Sequence, residues 1–393
     1  METDSALYLF FILILLIILG RMEWNAHLRN LGAVPVRIVV NGTRGKSSVT
    51  RLIGAGLRAG GFNVMAKTTG TKPRMVFNNR TEIPVIRLGK PNIREQLSIF
   101  KKAVKEGVDA VVLENMSLRP DLQWTEETKI VKPILVVITN VRRDHLDVMG
   151  PGLSDIARNF INAVPKNAVI ITAEKELFPL MKGLCEDKGL RIIQVAGNKG
   201  EPEISEREML KFPYLEQKEN VALAVEVCEN LGIRKNTALE EMYKCIPDPG
   251  ILKKYDLLIN NKKITLFNAL AVNDPDSIHM IYQQIVKPAS NFYVLINCRA
   301  DRIDRSAHIA RTLCVRMRGD LYFLTGSNTA IFYHSASNCV NKEKLVDLGG
   351  KGIGEAYEHI MRRINDDSTI FAVGNFVGYG EELIEYFVSR GRA

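Results

Sequence analysis

Ile38-Val39-Val40-Asn41-Gly42-Thr43-Arg44-Gly45-Lys46-Ser47-Ser48-Val49-Thr50 is the stretch from which the fold can be read. An apolar run from Val34 to Val40 has the character of a buried strand and stops at Gly42. A second glycine, Gly45, precedes Lys46-Ser47, after which Leu52, Ile53 and Leu57 keep helical spacing. Strand, glycine loop and helix in this order suit a phosphate chain. Glycines let backbone N–H groups face the anion, and the helix N-terminus adds the positive end of its dipole. Lys46 is then placed for the outer phosphates and the Ser47 hydroxyl for magnesium. The expected ligand is a nucleoside triphosphate, held by Gly42, Thr43, Arg44, Gly45, Lys46, Ser47 and Ser48.

With 393 residues the chain has room for two or three domains, and its net charge of +9 suits acidic partners. The basic residues are scattered, with no basic stripe interleaved with aromatics, so nucleic acid is not expected. Six cysteines lie far apart without a C-x-x-C pair, which argues against a zinc or disulfide framework and for a reducing compartment.

Ala6 to Leu19 is an uninterrupted apolar run, shorter than the roughly 20 residues that span a bilayer comfortably. Glu2 and Asp4 stand where a signal peptide carries positive charge, and no small-residue cleavage site follows. Arg21, Arg29 and Trp24 flank the other end and orient it toward the cytoplasm. The expectation is a single-pass anchor in the cell membrane with the body cytoplasmic, over residues 1–30 including a short polar link.

Beyond the anchor, strands and helices alternate, the signature of a parallel sheet wrapped by helices. A second loop, Lys67-Thr-Thr-Gly-Thr-Lys-Pro-Arg74, combines glycine, hydroxyls and positive charge. Ala110-Val-Val-Leu-Glu114 is a core strand ending on a carboxylate, at the strand edge where such folds bind ligands, and Glu114 is placed to hold a cation. Ile134 to Thr139 is another strand, running into Asn140, Asp144, His145 and Asp147, a plausible divalent-cation or acid–base cluster. Asn220 lies near the start of an amphipathic helix, and Pro247-Asp-Pro-Gly250 breaks the pattern. Two α/β domains are expected, 31–250 and 251–393. The second carries a charged stretch, Arg299 to Arg305, directly after a strand.

Taken together, Gly42-Thr-x-Gly-Lys-Ser, Glu114, Thr139-Asn140…Asp144-His145-Leu-Asp147, Asn220 and Asp301-Arg302…Asp304 resemble, in order, the motifs of the Mur ligase superfamily. Within it, Lys67-Thr-Thr-Gly-Thr, His145-Leu-Asp-Val-Met-Gly-Pro and Asn297-Cys-Arg-Ala-Asp-Arg look most like the ligase subunits of bacterial poly-γ-glutamate synthases. The resemblance implies a central P-loop domain with a parallel sheet, then a smaller Rossmann-like domain. It also implies ATP-dependent amide ligation with Mg2+, in which a carboxylate becomes an acyl phosphate and an amine displaces phosphate. Carried over by motif, Lys46, Glu114, His145 and Arg302 are catalytic. Ser47, Glu114 and His145 hold the metal, while Asn220 and Arg302 join the loop in binding ATP. Lys67, Thr69, Arg74 and Arg299 are candidates for the substrate, glutamate and the growing poly-γ-glutamate chain, as is Arg142-Arg143 for the polymer. Membrane-embedded synthase and export subunits are the implied partners.

Three departures stand against the superfamily pattern. The helix after the His motif reads Ile156-Ala-Arg158-Asn-Phe160-Ile-Asn, without the lysine often modified to a carbamate. The linker is Pro249-Gly250-Ile251 rather than Pro-Gly-Arg. No uridine-nucleotide domain fits before the first strand, which disfavours a muramyl substrate. A folylpolyglutamate-synthase-like ligase is the competing enzyme, although it has no use for an anchor. A non-catalytic ATP-binding regulator is the competing class, in which Glu114 and His145 would be dispensable.

Overall fold

The computed structural model describes residues 2–70, 73–87, 89, 91–143, 146–195, 204–214, 216–247, 252–272, 275–286, 291–300, 309–310 and 316–391. The chain divides into two units, residues 1–212 with 216–246, and residues 213–215 with 247–393.

The first unit is built around β1 (Val36–Asn41), whose Ile38, Val39 and Val40 are fully buried. Such a continuous β-branched run belongs in a parallel sheet covered on both faces. Its sheet has the order β4-β3-β2-β5-β1-β6-β7-β8, with β2 at Val64–Lys67, β3 at Arg74–Val76, β4 at Glu82–Pro84 and β5 at Ala110–Glu114. The remaining strands are β6 (Leu135–Ile138), β7 (Val169–Thr172) and β8 (Arg191–Gln194). β1 lies parallel between β5 and β6, with Val40 opposite Glu114 on one side and Asn41 opposite Ile138 on the other. The chain thus moves to opposite sides of β1, and the crevice at the carboxyl ends of these strands is where doubly wound sheets take their ligands.

The expected alternation holds, with two additions at the edge. β3 and β4 form an antiparallel extension beside β2. It is tied down by Arg51 of α2 (Lys46–Ala59), which is 3% exposed and donates to Glu82 at 2.5 and 3.1 Å. α2 itself is buried continuously from Val49 to Leu57, because the sheet covers one face and the helices Lys218–Asn230 and Lys235–Met242 cover others.

α1 (Glu2–Ala33) is one uninterrupted helix, where a polar link after residue 20 was expected. Every side chain from Leu7 to Leu19 is exposed, whereas His27 and Leu31 are buried against the unit. His27 Nε2 lies 2.7 Å from the Ile130 carbonyl, and its ring meets Phe100 of α3 (Glu95–Lys105) at 5.7 Å between centroids. The polar residues read as a link are the solvent face of a docked helix. Its stretch Leu7–Ala33 is long and apolar enough to cross a membrane.

The second unit carries a sheet of order β13-β12-β11-β14-β10-β9: β9 (Lys253–Ile259), β10 (Lys262–Asn268), β11 (Asn291–Cys298), β12 (Leu321–Gly326), β13 (Leu345–Asp347) and β14 (Ser368–Gly374). All pairs are parallel except β9–β10, a hairpin turning at Asn260-Asn261 with φ of 50° and 62°. Along β11, Phe292, Val294 and Ile296 enter one core while Tyr293 and Leu295 enter the other, so both faces are covered. Cys339 is disulfide-bonded, and Cys185, Cys228 and Cys298 are buried.

Phe371 on β14 is fully buried in this sheet. Phe371→Ala should lower the stability of the second unit by about 3–5 kcal/mol, read as a lower urea midpoint for its unfolding transition.

Candidate active site

The site begins where β1 ends. Gly42 has φ +117°, and a Cβ there would collide with Thr139; Gly45 caps α2 with φ +80°, where a Cβ would stand 2.6 Å from Asn220 Oδ1. Both positions therefore require glycine. No side chain caps α2, so its first-turn N–H groups face the loop, the arrangement that suits a phosphate. The loop is held open by Asn140: its carbonyl accepts from Thr43 N at 3.0 Å, its Oδ1 from Arg44 N at 3.1 Å, and its Nδ2 donates to Arg44 O at 3.1 Å. Thr43 Oγ1 also accepts from Arg142 N at 3.0 Å. Lys46 Nζ lies across the loop, donating to Gly42 O at 2.8 Å and Thr43 O at 3.3 Å.

Glu114, the last residue of β5, is 4% exposed and meets this loop directly. Its Oε2 accepts from Ser47 Oγ at 2.9 Å and from Thr69 N at 2.6 Å. A hydroxyl and a carboxylate side by side are hard oxygen donors of the kind a magnesium ion takes, so the residues fit the ion that the sequence implies. Among the described residues no three His, Cys, Asp or Glu side chains cluster as a metal site, and His145 and Asp144 lie outside them. Ser48 follows Ser47 in the first turn of α2, and Asn220, 7% exposed, packs on Gly45 while donating to Glu216 at 2.8 Å.

Two family models match the chain, "Mur ligase middle domain" over residues 40–225 and "Poly-gamma-glutamate synthase CapB C-terminal domain" over residues 255–390. The PGA synthase CapB of Bacillus subtilis (strain 168) is 32% identical over 376 residues, 94% of each chain. The chain belongs to the CapB family. A second relative, the capsule biosynthesis protein CapB of Bacillus anthracis, is 33% identical over 95% of this chain and 80% of its own. In fold, the CapB-family chain is similar to E. coli FolC in complex with DHPP and ADP, with a TM-score of 0.65 at 15% identity, covering 94% and 93% of the two chains. It is likewise similar to the Yersinia pestis folylpolyglutamate synthase/dihydrofolate synthase complexed with AMPPNP and Mn, with a TM-score of 0.68 at 14% identity and coverage of 92% and 91%.

The residues expected at the substrate are placed differently from one another. Thr69 reaches Glu114 through its backbone, and Arg74 opens β3 with Thr68 bonded to its main chain at 2.9 and 3.2 Å. Lys67 is wholly buried, paired with Glu95 Oε1 at 2.5 Å and bonded to Gln96 Oε1 at 3.1 Å. Burial pushes its ammonium down, opposed by Glu95. Burial would raise Glu95, but Arg87 and Lys67 outweigh it and hold the carboxyl below its usual range. Arg299 follows β11 in the second unit, and Arg302 lies outside the described residues.

Two carboxyls behind the site were not singled out from sequence. α4 (Pro120–Thr125) continues into a π-helix, Glu126–Val131, whose wider turn places both Glu126 and Glu127 inward. Glu126 accepts from Gln96 at 2.7 Å and Ser117 at 2.9 Å, and burial raises it. Glu127 Oε1 accepts from Asn41 Nδ2 at 2.9 Å and Asn115 Nδ2 at 3.1 Å, one amide from the end of β1 and one beside Glu114. Its Oε2 is buried without a partner, and burial reinforced by Glu126 pushes its pKa up to about 8. Adjacent glutamates on a short helix look like a solvated face; only the π-turn turns them inward.

A raised folded pKa sets the sign of a pH effect. The folded state holds the Glu127 proton more tightly than the unfolded state, so stability falls as pH rises from near 4.5 through about 8, at about 1.4 kcal/mol per pKa unit. Glu127→Gln, a mimic of the neutral acid, removes this dependence. Its thermal midpoint should exceed that of the wild type by a margin that widens between pH 5 and 8, as measured by calorimetry.

Proposed function

We propose that this protein is the ATP-dependent amide ligase of a poly-γ-glutamate synthase, activating a carboxylate as an acyl phosphate and joining glutamate to it with release of ADP and phosphate. The observation that supports this most strongly is the Ser47–Glu114 contact, which brings a phosphate loop and a cation ligand together in a chain matching CapB relatives over nearly its full length.

In this reading the Gly42–Ser47 loop and the first turn of α2 bind the triphosphate through backbone N–H groups. Lys46 neutralises the charge on the transferred phosphoryl group, and the motif assigns Arg302 to ATP as well. Ser47, Glu114 and His145 would hold magnesium, whose positive charge would screen the repulsion between an incoming carboxylate and the triphosphate. Asn220, packed on Gly45, sets the loop beside the nucleotide. Thr69, Arg74 and Arg299 remain the candidates for the acidic substrate. Lys67, with its ammonium paired to Glu95, positions the loop that carries Thr69 rather than touching substrate. α1 anchors the protein in the cell membrane with the body cytoplasmic, beside membrane subunits that export the polymer.

Membranes containing the protein with its synthase partners should release ADP only when ATP and glutamate are both present. Lys46→Ala and Glu114→Ala should each lower that release by about 100-fold or more. Release indifferent to glutamate but stimulated by a folate acceptor would replace this reading with the folylpolyglutamate-type alternative.

A further inference from the structure

We propose that the face of the first unit around the exit of α1 rests on anionic lipid headgroups of the same bilayer that α1 enters, through Arg94, Lys129, Lys132 and Trp124. This inference rests on the anchor reading above.

The continuity of α1 is the first ground. The helix runs without a break from the exposed apolar run into the docked segment, where His27 and Leu31 are buried. The docked segment cannot enter the bilayer, and no flexible link lets the unit swing away from it. The second ground is distance. Trp24 lies five residues past Leu19, about 7.5 Å along the axis at 1.5 Å per residue, which is the depth of a headgroup layer. The apolar run Ala6–Leu19 is about 21 Å long, short of the ~30 Å hydrocarbon core, so burying it draws the flanking surface toward the membrane.

The third ground is the chemistry at that level. Lys132 Nζ stands 6.0 Å from the Trp24 ring centroid, and Arg94 Nη2 is 3.8 Å from Glu23 Oε1, with the Arg94 side chain 72% exposed. Lys129, exposed on the same helical segment that bonds His27 through Ile130, lies over the Trp124 ring at 4.8 Å; Trp124 is 44% exposed. An exposed tryptophan beside lysines, next to the mouth of a membrane helix, fits the interfacial belt and the negative surface potential of a cytoplasmic leaflet. Glu23, the acidic side chain beside Arg94, lies 3.8 Å from its guanidinium.

The chain contains only two tryptophans, Trp24 and Trp124, so the test is direct. Full-length W24F, with the W124F variant as the complementary control, is reconstituted into vesicles carrying headgroup-labelled TEMPO-phosphocholine and about 30% phosphatidylglycerol. Flotation in high salt checks the anchor, and Trp124 emission checks the face. The proposal expects flotation together with about twofold quenching of Trp124 that weakens in K129Q/K132Q and in purely zwitterionic vesicles. Flotation without Trp124 quenching overturns the docking face and leaves the anchor standing. Quenching indifferent to lipid charge and to K129Q/K132Q overturns the assignment to anionic headgroups. Failure to float overturns the anchor, and the proposal with it.

Discussion

Ser47 Oγ and Glu114 Oε2, 2.9 Å apart, join the start of α2 to the end of β5, and the site depends on that contact. Two parallel strands of an α/β sheet end at the same edge, but only a particular register brings their last residues together. Here Val40 is opposite Glu114, so the loop leaving β1 passes over the carboxylate. Thr69 N reaches the same oxygen at 2.6 Å, which brings the loop after β2 to that point as well. Three strand ends thus converge on one side chain.

Behind this contact lies a second layer that sets its dimensions. Asn41 Oδ1 accepts from Gly42 N at 2.8 Å while its amide donates to Glu127, and Asn115 donates to the same Glu127 oxygen at 3.1 Å. A single buried carboxyl therefore spans the ends of β1 and β5. Burial favours its neutral form, so it can bridge two amides without placing a negative charge beneath a loop shaped for phosphate. On the neighbouring side, Arg87, Glu95, Lys67, Gln96, Glu126 and Ser117 form a connected polar chain. A network of this kind gives rigidity only when its members are satisfied together.

Much of this was legible in the residues because it is local. Gly42, Gly45 and Lys46-Ser47 follow an apolar run and precede a helical pattern, so strand, loop and helix can be read within a short window. Glu114 could be placed because it closes an unmistakable core strand. What could not be read depends on partners distant in sequence. Lys67 sits among glycines and hydroxyls like a ligand contact, yet its partner Glu95 comes from α3. The three-residue strands β3 and β4 carry too few residues for a period, and Arg51 fixes them from another element. His27 and Leu31 are the buried face of a helix whose other residues resemble a linker.

The most direct measurement is the product itself: the material made when the full chain and its membrane partners are supplied with ATP and glutamate, isolated and hydrolysed. The account predicts a high-mass polymer that yields only glutamate on acid hydrolysis and resists peptidases specific for α-linked chains. A product that yields other components, or one joined through α-peptide bonds, would contradict it.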